Sequence, residues 1–147
     1  MLQLQGGPAL SDFRLQKLRI ALESGIDGLE FISTRYIHFV DTNRSLDDDA
    51  LQVLQKILTY GPKSEVEVRE PVGDSYRLNR LVTPRFGTIS PWSSKATDIA
   101  HICGLDEIHR IERGILFEFC LAENPDDKTI NVIDELIHDR MTEAVLS

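Results

Sequence analysis

The chain has 147 residues, with 16 Lys and Arg against 24 Asp and Glu, a formal charge of −8 and a pI near 4.9. That length suits one domain with its own hydrophobic core, and the acidic balance argues against a nucleic-acid or anionic-membrane surface. There is no apolar run long enough for a membrane helix, and the first residues lack a basic n-region followed by a long apolar core, so the expectation is a cytoplasmic domain without span or signal peptide.

Strand and helix patterns alternate along the chain. Leu2 to Gln5 reads as a short strand closed by Gly6-Gly7-Pro8. A helix follows from about Ser11 to Ser24, with Leu15, Leu18 and Leu22 at spacings of three and four and Gly25 just past its end. Leu29 to Val40 is rich in aromatic and β-branched residues, as a half-buried strand is. Ser45 then offers an N-cap with Asp48 three residues later, and Asp47-Asp48-Asp49 complements the dipole of a helix with Leu51, Leu54 and Leu58 on its buried stripe. That acidic triplet reads as helix-start electrostatics rather than a metal site, and Tyr60-Gly61-Pro62 stops the helix.

Val66 to Glu70 and Tyr76 to Val82 read as a hairpin around Pro71-Val72-Gly73-Asp74. After a loop and a third helix, Ile108 to Ala122 reads as a strand with Ile115, Phe117, Phe119 and Leu121 on one face and Gly114 as a bulge. A last helix, about Pro125 to Leu146, carries Ile130, Ile133, Ile137 and Met141 on one stripe. The expected fold is α+β, with helices packed on one side of mostly antiparallel sheets and two similar halves in its element order, although no repeat is visible in the residues. The domain is expected to span 1–147, with the boundary between halves near 61–75.

Cys103 and Cys120 form no C-x-x-C pair and are expected to be reduced and buried as small hydrophobes. His38, His101, His109 and His138 are scattered over different elements, which supports no metal site.

The densest polar stretch runs from Thr83 to Leu105. Arg85, Thr88, Ser90, Trp92, Ser93, Ser94, Lys95 and Asp98 crowd a loop punctuated by Gly87 and Pro91, and a helix starting near Lys95 and ending at Gly104 follows with Ser93 or Ser94 as its cap. Free backbone N–H groups, hydroxyls and a lysine at a helix start favour an anion. The same residues also read as an ordinary capped helix with Trp92 packing back as a hydrophobic staple. The phosphate-loop pattern is absent, since a second glycine and the Gly-Lys-Ser/Thr ending are missing. Asp98 and His101, three apart on one helix face, have no nucleophile to serve and read as a surface pair.

This loop, together with Gly7-Pro8-Ala9-Leu10-Ser11, Tyr36-Ile37-His38-Phe39-Val40-Asp41, Tyr60-Gly61-Pro62, Glu112-Arg113-Gly114 and His138-Asp139-Arg140-Met141, resembles the N-terminal domain of the large single-chain formylglycinamide ribonucleotide amidotransferases, also called phosphoribosylformylglycinamidine synthases, of bacterial purine biosynthesis. The family pattern has proline where this chain has Phe86 and asparagine where it has Ile102; neither change removes a charged or hydroxyl group.

The resemblance implies two ferredoxin-like halves, similar to a fused dimer of the small accessory subunit that other bacteria make separately. It implies a parent enzyme that couples glutamine hydrolysis to ATP- and magnesium-dependent amidation of formylglycinamide ribonucleotide. Glutamine hydrolysis needs an activated cysteine, and ATP chemistry needs a phosphate cradle with carboxylates for magnesium. Neither set is recognisable in this sequence, so the expectation is a non-catalytic domain without cofactor, partnered by synthetase and glutaminase domains of the same enzyme. Its loop from Arg85 to Lys95 would dock beside the substrate, with Trp92 as anchor. An independent module that binds a phosphorylated metabolite through the same loop is the alternative.

Overall fold

In a computed structural model of the chain, which describes residues 2–26, 28–59, 76–85 and 87–146, the elements run β1 (Leu2–Gln5), α1 (Asp12–Glu23), β2 (Leu29–Thr42), α2 (Asp48–Ile57), β3 (Tyr76–Pro84), α3 (Pro91–Ile102), β4 (Ile108–Leu121), α4 (Asp127–Ile137) and β5 (Glu143–Leu146). The strands make one five-stranded sheet in the order β1-β2-β4-β3-β5, with every neighbouring pair antiparallel. The fold is α+β with antiparallel strands and helices on one side, as the residue pattern implies, and the described strands form one sheet.

The two long central strands decide where the helices go. Successive strand residues point to opposite faces. In β2, Ile32, Thr34, His38 and Val40 are buried, and their partners across β4 are Phe119, Phe117, Arg113 and Ile111. All four helices cover this face. Leu22 and Ile26, at the end of α1, meet Ile133 of α4 over Ile32, Val82, Phe117, Phe119 and Leu121. Leu54 and Leu58, at the end of α2, meet Ala96 and Ala100 of α3 over Val40, Ile108 and Ile111. The core is therefore two clusters, one under α1 and α4 and one under α2 and α3. A bidentate contact from Arg80 on β3 to Asp134 on α4, at 2.8 and 2.5 Å, fastens α4 to the sheet.

The second half retraces the first at a constant spacing. The same number of positions separates Ser11 from Ser90, Asp12 from Pro91, Leu29 from Ile108 and Asp47 from Asp126, so helix caps, helix starts and strand starts all correspond. Core residues follow the same spacing: Ile26 and Leu105, Ile32 and Ile111, Val40 and Phe119, Leu54 and Ile133 are all buried. Only Ser11/Ser90, Asp47/Asp126 and Ile32/Ile111 of these pairs keep the same residue, which is why the sequence shows no obvious repeat. The first strands break the rule. Gln5 pairs with Ile37 and Leu81 with Leu116, so the connection to the helix cap runs from Gln5 to Ser11 in one half and over a longer path, from Leu81 to Ser90, in the other.

Several local expectations are corrected. α2 is capped by Asp47, whose side chain accepts from the Ala50 N–H at 2.7 Å, rather than by Ser45. α3 is capped by Ser90 with Pro91 at its first position, so it starts well before Lys95. α4 ends at Ile137, and Glu143–Leu146 is a strand on the outer edge of β3, not a helical continuation. A turn around Asp139 separates them: its carboxylate accepts from the Met141 N–H and its carbonyl from the Glu143 N–H. Met141 is accordingly exposed rather than on the buried stripe.

Gly114 is no bulge. It pairs in register with Ile37, and the irregularities of the β2–β4 ladder lie at the ends of β2 instead. A Cβ at Gly114 would stand 2.9 Å from the Val82 carbonyl oxygen, so close strand approach is what needs glycine there. Cys103 is exposed at the end of α3, contrary to the expectation of burial, whereas Cys120 is buried. The strand expected at Val66 to Glu70, the stop at Tyr60-Gly61-Pro62 and the 61–75 boundary lie outside the described residues.

Candidate functional site: the loop before the third helix

β3 pairs with β4 only as far as Val82 opposite Ile115, which leaves the β4 edge nearer its start in need of other partners. α3 supplies them. The Ser93 hydroxyl donates to the Ile111 carbonyl at 2.5 Å, and the Thr97 hydroxyl accepts from the Ile111 N–H at 3.1 Å. Ser93 is fully buried by this docking. Two helix side chains thus take the place of a strand neighbour.

The start of α3 is held by a charged network rising from β4. Ser90 accepts from the Ser93 N–H at 3.0 Å as N-cap, and its hydroxyl donates to Glu112 Oε1 at 2.8 Å. Glu112 Oε1 also accepts from the Arg113 N–H at 3.0 Å, while Oε2 accepts from Arg110 Nη2 at 2.9 Å. Arg110 Nη2 further donates to the Thr88 carbonyl at 2.9 Å, and its Nε approaches the Ser93 hydroxyl at 3.4 Å. Arg110 and Glu112 are two apart on one strand, hence on one face, which lets both reach the same loop. Thr88 closes the turn, its hydroxyl donating to the Arg85 carbonyl at 2.5 Å, and the Arg85 N–H donates to Thr142 next to β5.

Trp92, in the first turn of α3 rather than before it, lies over the middle of the sheet. The Arg113 guanidinium sits between its ring and that of Tyr36, 4.6 Å from each centroid, and His38 is tilted against it at 5.7 Å. His38 is almost wholly buried. Burial first, and the Arg113 charge second, lower its pKa from 6.5 to about 4, against a hydrogen bond at the Leu4 backbone that acts the other way. His38 is therefore neutral at pH 7. Gly6 makes room for it: a Cβ there would stand 2.6 Å from the imidazole Cε1.

The residues singled out in the sequence divide into two sets. Thr88, Ser90, Trp92 and Ser93 make the contacts within the domain just described, whereas Arg85, Ser94, Lys95 and Asp98 are exposed. In the same stretch Ile89, Ile99 and Ile102 are also exposed, by 63%, 44% and 84%. Sequence reasoning did not select Arg110, Glu112, Tyr36 or His38 as part of this site; the alternating Arg110-x-Glu112 on a strand was the available signal. Among the described residues His101 bonds to no carboxylate; its Nε2 is 2.7 Å from the Ile108 carbonyl oxygen and so donates there. Among the described residues no three His, Cys, Asp or Glu converge to hold a metal ion, and no helix is long and apolar enough to cross a membrane.

The sequence pattern described as formylglycinamide ribonucleotide amidotransferase N-terminal matches residues 35–147. That span opens inside β2 and contains the whole β3–α3 connection, its β4 supports and the Tyr36–Arg113–Trp92 stack. The chain therefore belongs to the family of formylglycinamide ribonucleotide amidotransferase N-terminal domains.

Proposed function

We propose that this is a non-catalytic assembly domain of a formylglycinamide ribonucleotide amidotransferase, the purine-biosynthetic enzyme that makes formylglycinamidine ribonucleotide from formylglycinamide ribonucleotide, glutamine and ATP. ATP, magnesium and the glutaminase nucleophile belong in this reading to the enzyme's other domains, against which the loop and outer face of α3 dock. One observation carries it: Arg85, Ile89 and Lys95 are exposed and Ile99 and Ile102 follow Lys95 on one face of α3, while Ser90 and Ser93 bond inside the domain. A cation flanked by exposed isoleucines suits a protein surface with an apolar centre and an acidic or phosphorylated rim. A pocket for a free phosphorylated metabolite would instead turn its hydroxyls toward the ligand.

The test uses an amidotransferase carrying this domain, with ammonia replacing glutamine so that the synthetase step is read alone. Lys95→Ala and Ile99→Asp are expected to lower ammonia-dependent kcat/KM by roughly 10- to 100-fold, the loss of a contact of about 1.5–3 kcal/mol. Unchanged kinetics in both variants would remove the docking role. Binding of a phosphorylated nucleotide by the domain, lost in Lys95→Ala, would favour the metabolite-binding module instead.

A further inference from the structure

The first half of the domain builds the same strand, cap and helix without the charged network of the second. At the constant spacing that relates the halves, Phe31 stands for Arg110, Ser33 for Glu112 and Thr34 for Arg113. Among the described residues the Ser11 hydroxyl caps α1 by accepting from the Arg14 N–H, at 3.3 Å, with no carboxylate behind it, and the Leu10 N–H donates to the Thr34 hydroxyl at 3.2 Å. A capped helix packed on this sheet therefore does not require an arginine and a glutamate behind its cap.

What differs is the connection they support, which is longer in the second half and carries Arg85, Thr88 and Ile89. Taking a carboxylate and a guanidinium partly out of water is costly unless both are hydrogen-bonded, and here both are: the Glu112 side chain is 14% exposed and each oxygen accepts from at least one donor. The geometry points to Arg110 and Glu112 as positioning residues that fix the β3–α3 connection in the shape that presents Arg85, Ile89 and Lys95 to the partner domain. This rests on the docking reading above and adds to it the pair that sets the docking geometry.

Neither residue is placed at the docking contact itself. Glu112 acts through the Ser90 hydroxyl and the Arg113 N–H, and Arg110 through the Thr88 carbonyl, so both sides of the connection are tied to the same strand. Losing Glu112's charge would leave the cap serine in place but free residues 87–90 to sample other shapes.

Glu112→Gln, Arg110→Lys and Lys95→Ala, singly and with Glu112→Gln and Lys95→Ala combined, in an amidotransferase carrying this domain, would decide it. Arg110→Lys keeps the charge but cannot span Thr88, Glu112 and Ser93 together, and it replaces Glu112→Gln if that variant fails to fold. The expected result is a fall of roughly tenfold in ammonia-dependent kcat/KM for Glu112→Gln or Arg110→Lys. A less than additive further fall is expected when Glu112→Gln is added to Lys95→Ala, because Arg85 and Ile89 still depend on Glu112, and amide exchange should rise in 87–90 but not in β4. Full activity in Glu112→Gln and Arg110→Lys alongside a damaged Lys95→Ala would overturn the positioning role and leave docking intact. So would losses that simply add. Full activity in all the variants would remove both.

Discussion

Ser11 and Ser90 cap corresponding helices of the two halves, yet only Ser90 has a carboxylate behind it. The same contrast recurs two residues on. Phe13 stands 76% exposed on α1, whereas its counterpart Trp92 lies over the Arg113 guanidinium and against His38. The buried positions, by contrast, correspond closely: Leu54 with Ile133 and Val40 with Phe119 are all fully buried. Apolar burial under the helices is what the fold needs twice. Charge and aromatic stacking are built once, around the third helix.

If the two halves contribute equally to the core, Leu54→Ala and Ile133→Ala should each destabilise the domain by about 2–5 kcal/mol, the range for a fully buried aliphatic truncation. Urea unfolding followed by circular dichroism would read it. A loss confined to one variant would show that one cluster carries the stability and the other merely rides on it.

His38 sharpens the contrast, because its counterpart Phe117 cannot titrate. The unfolded imidazole takes up a proton near pH 6.5, while the folded one resists until about 4. The unfolded state therefore binds more protons in that window, and stability present above 6.5 is lost as pH falls toward 4. The expected loss is about 3 kcal/mol at most, taking 1.36 kcal/mol per unit. Carboxylates titrate over part of the same range, so the measure is the difference between wild type and His38→Gln in unfolding free energy at pH 7 and pH 4.5. Parallel pH dependences in the two proteins would show that His38 is not responsible.

The smallest effect concerns the aromatic pair. Trp92→Ala should cost about 2 kcal/mol, combining lost burial with a cation–π contact, while Phe13→Ala should stay within about 0.5 kcal/mol as a surface change. Similar losses in thermal unfolding would mean that Phe13 is packed in solution.

The residue pattern made most of the secondary structure legible. Leu2–Gln5, the first helix with its leucine spacing, and both long strands follow from local signals of periodicity and alternation. The misses have a common cause. Glu-Ala-Val-Leu at 143–146 has apolar residues that fit either period, and only the free edge of β3 makes it a strand. Asp47 and Ser90 prevail over Ser45, Ser93 and Ser94 as caps because packing of the helix fixes where its first turn lies. The polar loop was legible as a special region, but which of its groups point outward was not.

Composition and alternation by themselves determined an acidic α+β domain, since they depend on neighbours along the chain, and the family resemblance rested on the short motifs such as Glu112-Arg113-Gly114. The single sheet with β4 between β2 and β3 was decided only by the tertiary structure, because strand order depends on which edges meet after the chain has turned back. So was the division of the loop. Ser93 donates to Ile111 and Ser90 to Glu112 because α3 fills the β4 edge that β3 leaves unpaired, and the hydrogen bonds required there draw the serines in and leave Arg85 and Lys95 facing out.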